Sequence, residues 1–80
     1  MPTLLWWNGY RFYFFAAEGN EPPDIHVDKA EKATKVWLHN LQIAFNEGFT
    51  SKELNKIVAK IAEHREEFTK VWYDFFSGKY

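Results

Sequence analysis

The sequence predicts an α+β domain, an antiparallel sheet of two β-hairpins covered on one face by one long C-terminal amphipathic helix. Three features support this class: an Asn-Gly dipeptide between two aromatic-rich runs, a second stretch of alternating polar and apolar residues, and a last third with helical periodicity. The 80 residues form a single domain, 1–80, without cysteine. Stability therefore depends on apolar burial, to which the 20% aromatic content contributes.

The first hairpin is predicted from Asn8 and Gly9, which separate the runs 3–7 and 10–15. A type I′ turn needs positive φ at both central residues, and Asn-Gly meets that need. A two-residue turn also fixes the register, which pairs Trp7 with Tyr10 and, further on, Leu4 with Tyr13. Because strand side chains alternate, two faces follow. The core face carries Leu5, Trp7, Tyr10, Phe12 and Phe14, and the other face carries Leu4, Trp6, Arg11, Tyr13 and Phe15.

The second hairpin is predicted to follow Pro22 and Pro23, which set the direction of the chain. Residues 25–28 pair with residues 33–38 across the four residues 29–32. Residues 41–45 are ambiguous between a short fifth strand and a turn of helix, so the sheet has four strands or five. The alternation divides the second hairpin into a core set of Ile25, Val27, Val36 and Leu38 and a polar set of Asp24, His26, Asp28, Lys35 and Trp37.

The C-terminal helix is predicted to begin after Thr50, which forms a capping box with Glu53. A continuous helix over residues 51–77 is roughly 40 Å long, longer than the roughly 30 Å width of a compact chain of this size. One end overhangs unless the helix breaks in the only gap of its apolar stripe, at residues 64–67. If it does not break, the aromatic end protrudes and predicts an interface for a homodimer or a partner protein. That end carries Trp72, Phe75 and Phe76.

The polar face of the sheet carries the first candidate site, His26 with Asp24. A histidine and a carboxylate two residues apart on one strand can bind a metal when a neighbouring strand adds a third ligand, here His39. Alternation alone produces the same pattern on any solvated sheet face, so a plain polar surface is the favoured interpretation. The sequence therefore predicts no metal and no cofactor, and a metal-binding protein through Asp24 and His26 remains an alternative.

Three further binding candidates on that face are Arg11, Tyr13 and Trp37. A guanidinium group among aromatic rings stacks on them or holds a phosphate or carboxylate between them. Arg65, at the edge of the helical apolar stripe, is expected to reach solvent or to pair with a carboxylate. The carboxylates considered for it are Asp24, Glu18 and Glu21.

Composition excludes few classes of function. The formal net charge of −1 gives no general attraction to nucleic acid, so RNA is a less favoured partner. The sequence contains neither a basic leader nor an apolar run long enough to span a bilayer, and a cytoplasmic protein without membrane contact is expected. Nucleophile, phosphate-loop and metalloprotease motifs are absent from the sequence, which leaves open whether the protein is an enzyme.

The order of motifs resembles a family of small bacterial and archaeal proteins, the domain of unknown function DUF4160. The matching segments are Met1-Pro2-Thr3, Gly9-Tyr10-Arg11-Phe12, Pro22-Pro23-Asp24-Ile25-His26-Val27, Trp37-Leu38, Gly48-Phe49-Thr50-Ser51-Lys52-Glu53-Leu54 and His64-Arg65-Glu66. Two positions depart from the family pattern, since Asp24 stands where the family usually has histidine and His64 where it usually has asparagine. A mechanism that required a His-x-His pair would fail here.

The resemblance implies a partner protein, because genes of this family often lie beside a second small gene and have been suggested to form toxin–antitoxin modules. The first hypothesis is therefore a small interaction protein, one component of such a pair, that acts through the product of an adjacent gene. The alternative is an RNA-binding or ribonuclease-type toxin that uses Arg11, His26 and Arg65. The family implies no catalytic residues.

Overall fold

A computed structural model describes residues 3–15 and 21–77 and has an antiparallel five-stranded sheet with two helices. The α+β class is thus confirmed, and the fifth strand is present. Each strand neighbours the next one along the chain, in the order β1-β2-β3-β4-β5. The elements are β1 (Thr3–Trp7), β2 (Tyr10–Tyr13), β3 (Asp24–Lys29), β4 (Lys32–Trp37), β5 (Ile43–Glu47), α1 (Ser51–Glu63) and α2 (Arg65–Phe76).

The first hairpin has the predicted turn, with φ of 49° at Asn8 and 82° at Gly9. Its register is confirmed from the Trp7–Tyr10 pair to the Leu5–Phe12 pair, but Tyr13 then pairs with Thr3 instead of Leu4. The prediction for Leu4 was wrong because a β-bulge inserts one extra residue there. Leu4 therefore packs against the core, and Thr3 lies beside Tyr13 on the opposite face.

The second hairpin has a tighter turn than the sequence indicates. Lys29 pairs with Lys32, so the turn contains only Ala30 and Glu31 instead of four residues. Ala30 has a φ of 56°, a left-handed conformation that a residue with a Cβ seldom adopts. The turn escaped prediction because no Gly, Asn or Asp marks it.

Strand β5 resolves the ambiguity of residues 41–45 in favour of a strand. Leu41 has a φ of 60°, and the Asn40 side chain accepts a hydrogen bond from the Gln42 amide at 2.9 Å. This turn directs the chain back along β4, and β5 becomes one edge of the sheet.

The core lies between the helices and the sheet face that bears Phe12, Ile25 and Val27, each of them fully buried. The predicted core residues Val36 and Leu38 join them at 0% and 1% exposure. The helices contribute Ile57, Ile61 and Phe68 to this cluster, which also contains Tyr10 and Phe49. We call this the inner face of the sheet and the opposite one the outer face.

Helix α1 begins with the predicted capping box. Thr50 Oγ1 accepts from the Glu53 amide at 3.2 Å, and the Thr50 amide donates to Glu53 Oε1 at 3.1 Å. The other carboxylate oxygen of Glu53 accepts from Lys32 Nζ at 2.8 Å and from the Tyr10 hydroxyl at 3.4 Å. The hydrogen bond from Lys32, followed by that from Thr50, lowers the pKa of Glu53 to about 2. Glu53 thus joins the start of α1 to β2 and β4.

This lowered pKa makes part of the stability dependent on pH. A carboxyl group whose pKa is lower in the folded state stabilises the fold above its usual value of 4.5, and this contribution is lost as the pH falls toward about 2. We expect Glu53→Gln to be less stable than the parent at neutral pH and to lose less stability across that window. Urea unfolding at several pH values measures this, with Glu63→Gln as the control because Glu63 is mostly exposed. Equal pH dependence in the parent and Glu53→Gln would contradict the expectation.

The C-terminal segment is two helices, so the prediction of one long helix was wrong. The break falls at His64, the first residue of the predicted gap, where φ is −109° and ψ is 15°. The His64 amide donates to the Ile61 carbonyl at 3.1 Å, a tighter turn than an α-helix allows. A straight helix would extend past the sheet, whereas after the break Phe68 packs beside Phe12 of β2 with 1% exposure. None of the described helices is long and apolar enough to cross a membrane.

Candidate functional site

The outer face of the sheet carries the polar and aromatic residues that the sequence singled out, arranged in rows across the strands. The central row runs through Tyr13, His26, Lys35 and Phe45, which are consecutive partners in the strand register. The neighbouring rows contain Arg11 with Asp28 and Asp24 with Trp37. The structure therefore brings five of the six predicted binding residues onto one surface: Arg11, Tyr13, Asp24, His26 and Trp37.

His26 lies at the centre of this surface and is enclosed by aromatic rings. The Tyr13 ring stacks on it at a centroid distance of 5.4 Å, and the Phe15 ring meets it edge-on at 4.5 Å. Phe45 lies on its other side at 6.2 Å. Only 6% of His26 is exposed, which leaves little of the imidazole ring accessible to a substrate.

A charged cluster lies beside His26 and is buried on one side of the surface. Asp24 is fully buried, with Oδ2 3.5 Å from Lys35 Nζ and Oδ1 4.0 Å from His26 Nε2. Lys35 is 8% exposed and also donates to Glu21 Oε1 at 2.7 Å. Its ammonium group lies 4.6 Å from the centroid of the Trp37 ring. Pairing of this kind is the condition under which charges are tolerated in a protein interior.

Arg11 and Tyr13 form a second polar group on the same face. The Arg11 guanidinium lies 4.3 Å above the Tyr13 ring, and its Nε donates to Thr3 Oγ1 at 2.8 Å. Thr3 reaches this position because of the bulge in β1. The Tyr13 hydroxyl donates to Asp28 Oδ2 at 3.0 Å. Of the two arrangements that the sequence allowed for Arg11, stacking on an aromatic ring is therefore present.

Arg65, the sixth binding candidate, lies in the helix layer and not on the outer face. Its Nη2 donates to the backbone carbonyl of His39. The expected pairing with the carboxylate of Asp24 or Glu21 is therefore not the contact that Arg65 makes. Glu18, the third expected partner, lies outside the described residues. Arg65 instead lines a cleft between α2 and the end of β4. The structure thus does not bring together the three residues that the ribonuclease hypothesis requires.

The predicted interface at the end of the helix is largely covered. Trp72 is buried, and Phe75 and Phe76 are half-buried against Phe14, at ring distances of 5.3 and 5.7 Å. The protrusion expected of an unbroken helix does not occur, because α2 turns back onto the sheet. An interface through these residues stays a prediction.

The metal hypothesis finds no third ligand in the described part of the chain. His39, the expected third ligand, is exposed beside Trp37, at a ring distance of 6.3 Å. Within residues 3–15 and 21–77, no three histidine, aspartate or glutamate side chains are close enough together to hold a metal ion. The donor set near Asp24 instead contains the Lys35 ammonium group, which competes with a cation for the carboxylate.

Several residues of these sites were not among the binding residues predicted from the sequence. Lys35 and Phe15 were only assigned to the polar face, Glu21 was considered only as a partner of Arg65, and Phe45 was not selected. The period-two pattern that selected His26 also contains Lys35, but contacts to Glu21 and Phe15 depend on how the loops return to the sheet. Thr69 and Tyr73, which line the cleft with Arg65, repeat at four-residue steps after it on α2.

Comparison with known proteins gives one match. A search of curated proteins and a search of solved structures each found none. A family model described as "Domain of unknown function (DUF4160)" matches residues 9–73. The matched range contains the four strands β2–β5, α1 and all but the last turn of α2, and it includes all six candidate binding residues. The chain therefore belongs to the DUF4160 family.

Proposed function

We propose that this chain is a small protein-interaction module, one component of a two-gene toxin–antitoxin-like pair. It binds the small protein encoded by the adjacent gene by accepting one of that protein's strands at β5. The observation that carries the proposal is an exposed edge strand with apolar side chains on both of its faces. The family resemblance motivates the partner, and the edge strand motivates the mode of binding.

Within the described residues, strand β5 is hydrogen-bonded to a neighbour on one side only, because it pairs with β4 and ends the sheet order. All five of its residues are exposed. Edge strands are ordinarily protected by charged side chains, proline, a bulge or a covering segment. The only charged residue in β5 is Glu47 at its end, although a bulge interrupts its pairing with β4.

The side chains of β5 suit an extended partner segment. Ile43 pairs with Val36 of the inner face, whereas Phe45 pairs with Lys35 of the outer face, because the bulge adds Ala44 between them. Ile43 is 41% and Phe45 40% exposed. A strand added at this edge gains main-chain hydrogen bonds and finds one large apolar contact on each face of the extended sheet.

The proposal is tested by co-expressing the tagged chain with the adjacent gene product. We expect the two proteins to co-purify, and we expect Phe45→Lys or Ile43→Lys to reduce the yield of complex at least about tenfold, since a charge on an edge strand opposes strand addition. Trp6→Lys is the matched control. It makes the same kind of change at an even more exposed residue, 67%, on the opposite edge strand.

Three results would count against this proposal. The first is failure of the two proteins to co-purify. The second is loss of the partner by the Trp6→Lys variant while Phe45→Lys keeps it. The third is a homodimer of the chain through β5 that excludes the partner. Size-exclusion chromatography with light scattering on the purified chain distinguishes the homodimer from a monomer. Circular dichroism of each variant verifies that loss of binding is not loss of fold.

A further inference from the structure

We propose that the cleft between α2 and the end of β4 binds a carboxylate group carried on a small apolar body. The cleft has a volume of about 180 Å³ and none of its lining residues belongs to β5. This is smaller than the roughly 300–1,000 Å³ of sites for drug-sized ligands. The space suits a group of amino-acid size.

The helical wall of the cleft presents donor groups at regular intervals. Arg65, Thr69 and Tyr73 are spaced four residues apart on α2 and so share one face of the helix. A residue with a guanidinium group and two residues with hydroxyl groups therefore line the same side of the cleft. Because Arg65 and Tyr73 are about 12 Å apart along the helix axis, such a row offers hydrogen-bond donors at different points of a ligand.

The opposite wall is mainly apolar. Pro23 and Leu38 line it, and the backbone holds them in place because the Leu38 amide donates to the Pro23 carbonyl at 2.9 Å. His39, whose carbonyl accepts from Arg65, completes the wall. An apolar wall opposite a polar one is typical of sites for ligands with an apolar body and one polar head.

The charge of Arg65 is the feature that selects an anion. Its guanidinium group is anchored by the His39 carbonyl, and it makes no ion pair with any described carboxylate. Among the residues that the structure describes, no carboxylate lines the cleft. Lys32, by contrast, is paired with Glu53, and Lys35 with Glu21. An anchored guanidinium group with unused N–H donors is suited to bind a carboxylate.

A carboxylate fits the cleft better than a phosphate group. Sites for phosphorylated ligands combine several cationic groups, since the ligand carries nearly two negative charges. Of the described residues that line this cleft, Arg65 alone carries a permanent charge. One guanidinium group balances the single charge of a carboxylate.

An NMR titration with N-acetyl-leucine, and with N-acetyl-leucinamide as the neutral comparison, tests this inference. We expect the acid, and not the amide, to shift the amide resonances of Leu38, Thr69 and Tyr73. Arg65→Gln should weaken binding of the acid about tenfold or more, because the hydrogen bonds lost are charge-assisted. Arg65→Lys, which keeps the charge without the fork, should lie between the parent and Arg65→Gln.

Lys70→Gln is the matched control, because it removes one positive charge from the same helix at a residue that does not line the cleft. Its affinity should equal that of the parent. Equal binding of acid and amide, or unchanged affinity in Arg65→Gln, would overturn the inference, and so would tighter binding of inorganic phosphate than of the acid. A peptide that ends in leucine distinguishes two sources of the carboxylate. Tighter binding than N-acetyl-leucine supports a polypeptide C-terminus, and equal binding supports a free carboxylic acid.

Discussion

Replacing Lys35 with methionine is expected to destabilise the fold by about 3 kcal/mol or more, as when one member of a buried ion pair is removed. Lys35 is 8% exposed, and its ammonium group lies 3.5 Å from the fully buried Asp24 carboxylate. Methionine retains the length and apolar stem of the side chain but not the charge. The expected loss of stability therefore arises because the buried Asp24 carboxylate no longer has this ammonium group beside it, in an interior that screens charge poorly.

The other members of the cluster should matter less, in a defined order. Asp24→Asn leaves the Lys35 ammonium group bonded to Glu21 and should cost about 1–3 kcal/mol, the range for disturbing a buried hydrogen-bonding group. Glu21→Gln should cost less than about 1 kcal/mol, because the Glu21 side chain is 46% exposed and exposed ion pairs contribute little. A loss of stability that decreases in the order Lys35→Met, Asp24→Asn, Glu21→Gln indicates that burial of the charges determines the loss. Three similar losses would indicate that pairing alone determines it.

Urea unfolding followed by circular dichroism measures these differences, with Lys70→Met as the control because Lys70 is 76% exposed. The double variant Asp24→Leu with Lys35→Met should be more stable than Lys35→Met alone, since no carboxylate then remains at position 24. A Lys35→Met protein within about 0.5 kcal/mol of the parent, the range of ordinary surface substitutions, would show that the cluster is not a stabilising centre.

The first hairpin and the start of α1 were predictable because local chemistry determines them. The turn at Asn8 and Gly9 needs two residues that tolerate positive φ, and the capping box needs only Thr50 and Glu53 at the correct spacing. The bulge at Leu4 and the turn at Ala30 carry no such signal. Both are imposed by packing of the sheet, which outweighs local preference.

The candidate site was predictable to a similar extent. Alternation and register placed Arg11, Tyr13, Asp24, His26 and Trp37 on one face, as the structure has them. The sequence placed Arg65 only at the edge of the helical stripe, because its contacts depend on the direction that α2 takes after His64. The gap in the apolar stripe indicated where a break is allowed. It did not indicate the direction in which the second helix continues, which depends on the sheet surface available to Phe68.

Phe68→Ala tests this role of α2 and is expected to cost about 3–5 kcal/mol, the usual range for deleting a buried aromatic ring. Phe68 is 1% exposed, lies 6.3 Å from the Phe12 ring, and stacks on the His64 ring at 5.3 Å. A domain of this size has a total stability of roughly 4–12 kcal/mol. The substitution should therefore remove a large part of it.

Tyr73→Ala is the matched control, an aromatic residue of the same helix that is 55% exposed and should cost far less. Phe68 belongs to the same buried cluster as Phe12 and Ile61, so we expect the variant to unfold in one transition with the sheet and not by release of α2 alone. Hydrogen exchange distinguishes the two outcomes. If amides of α2 lose protection against exchange while those of β2 and β3 keep it, α2 is a separately stable unit. The break at His64 would then join two cooperative units, and α2 would not be part of one common core.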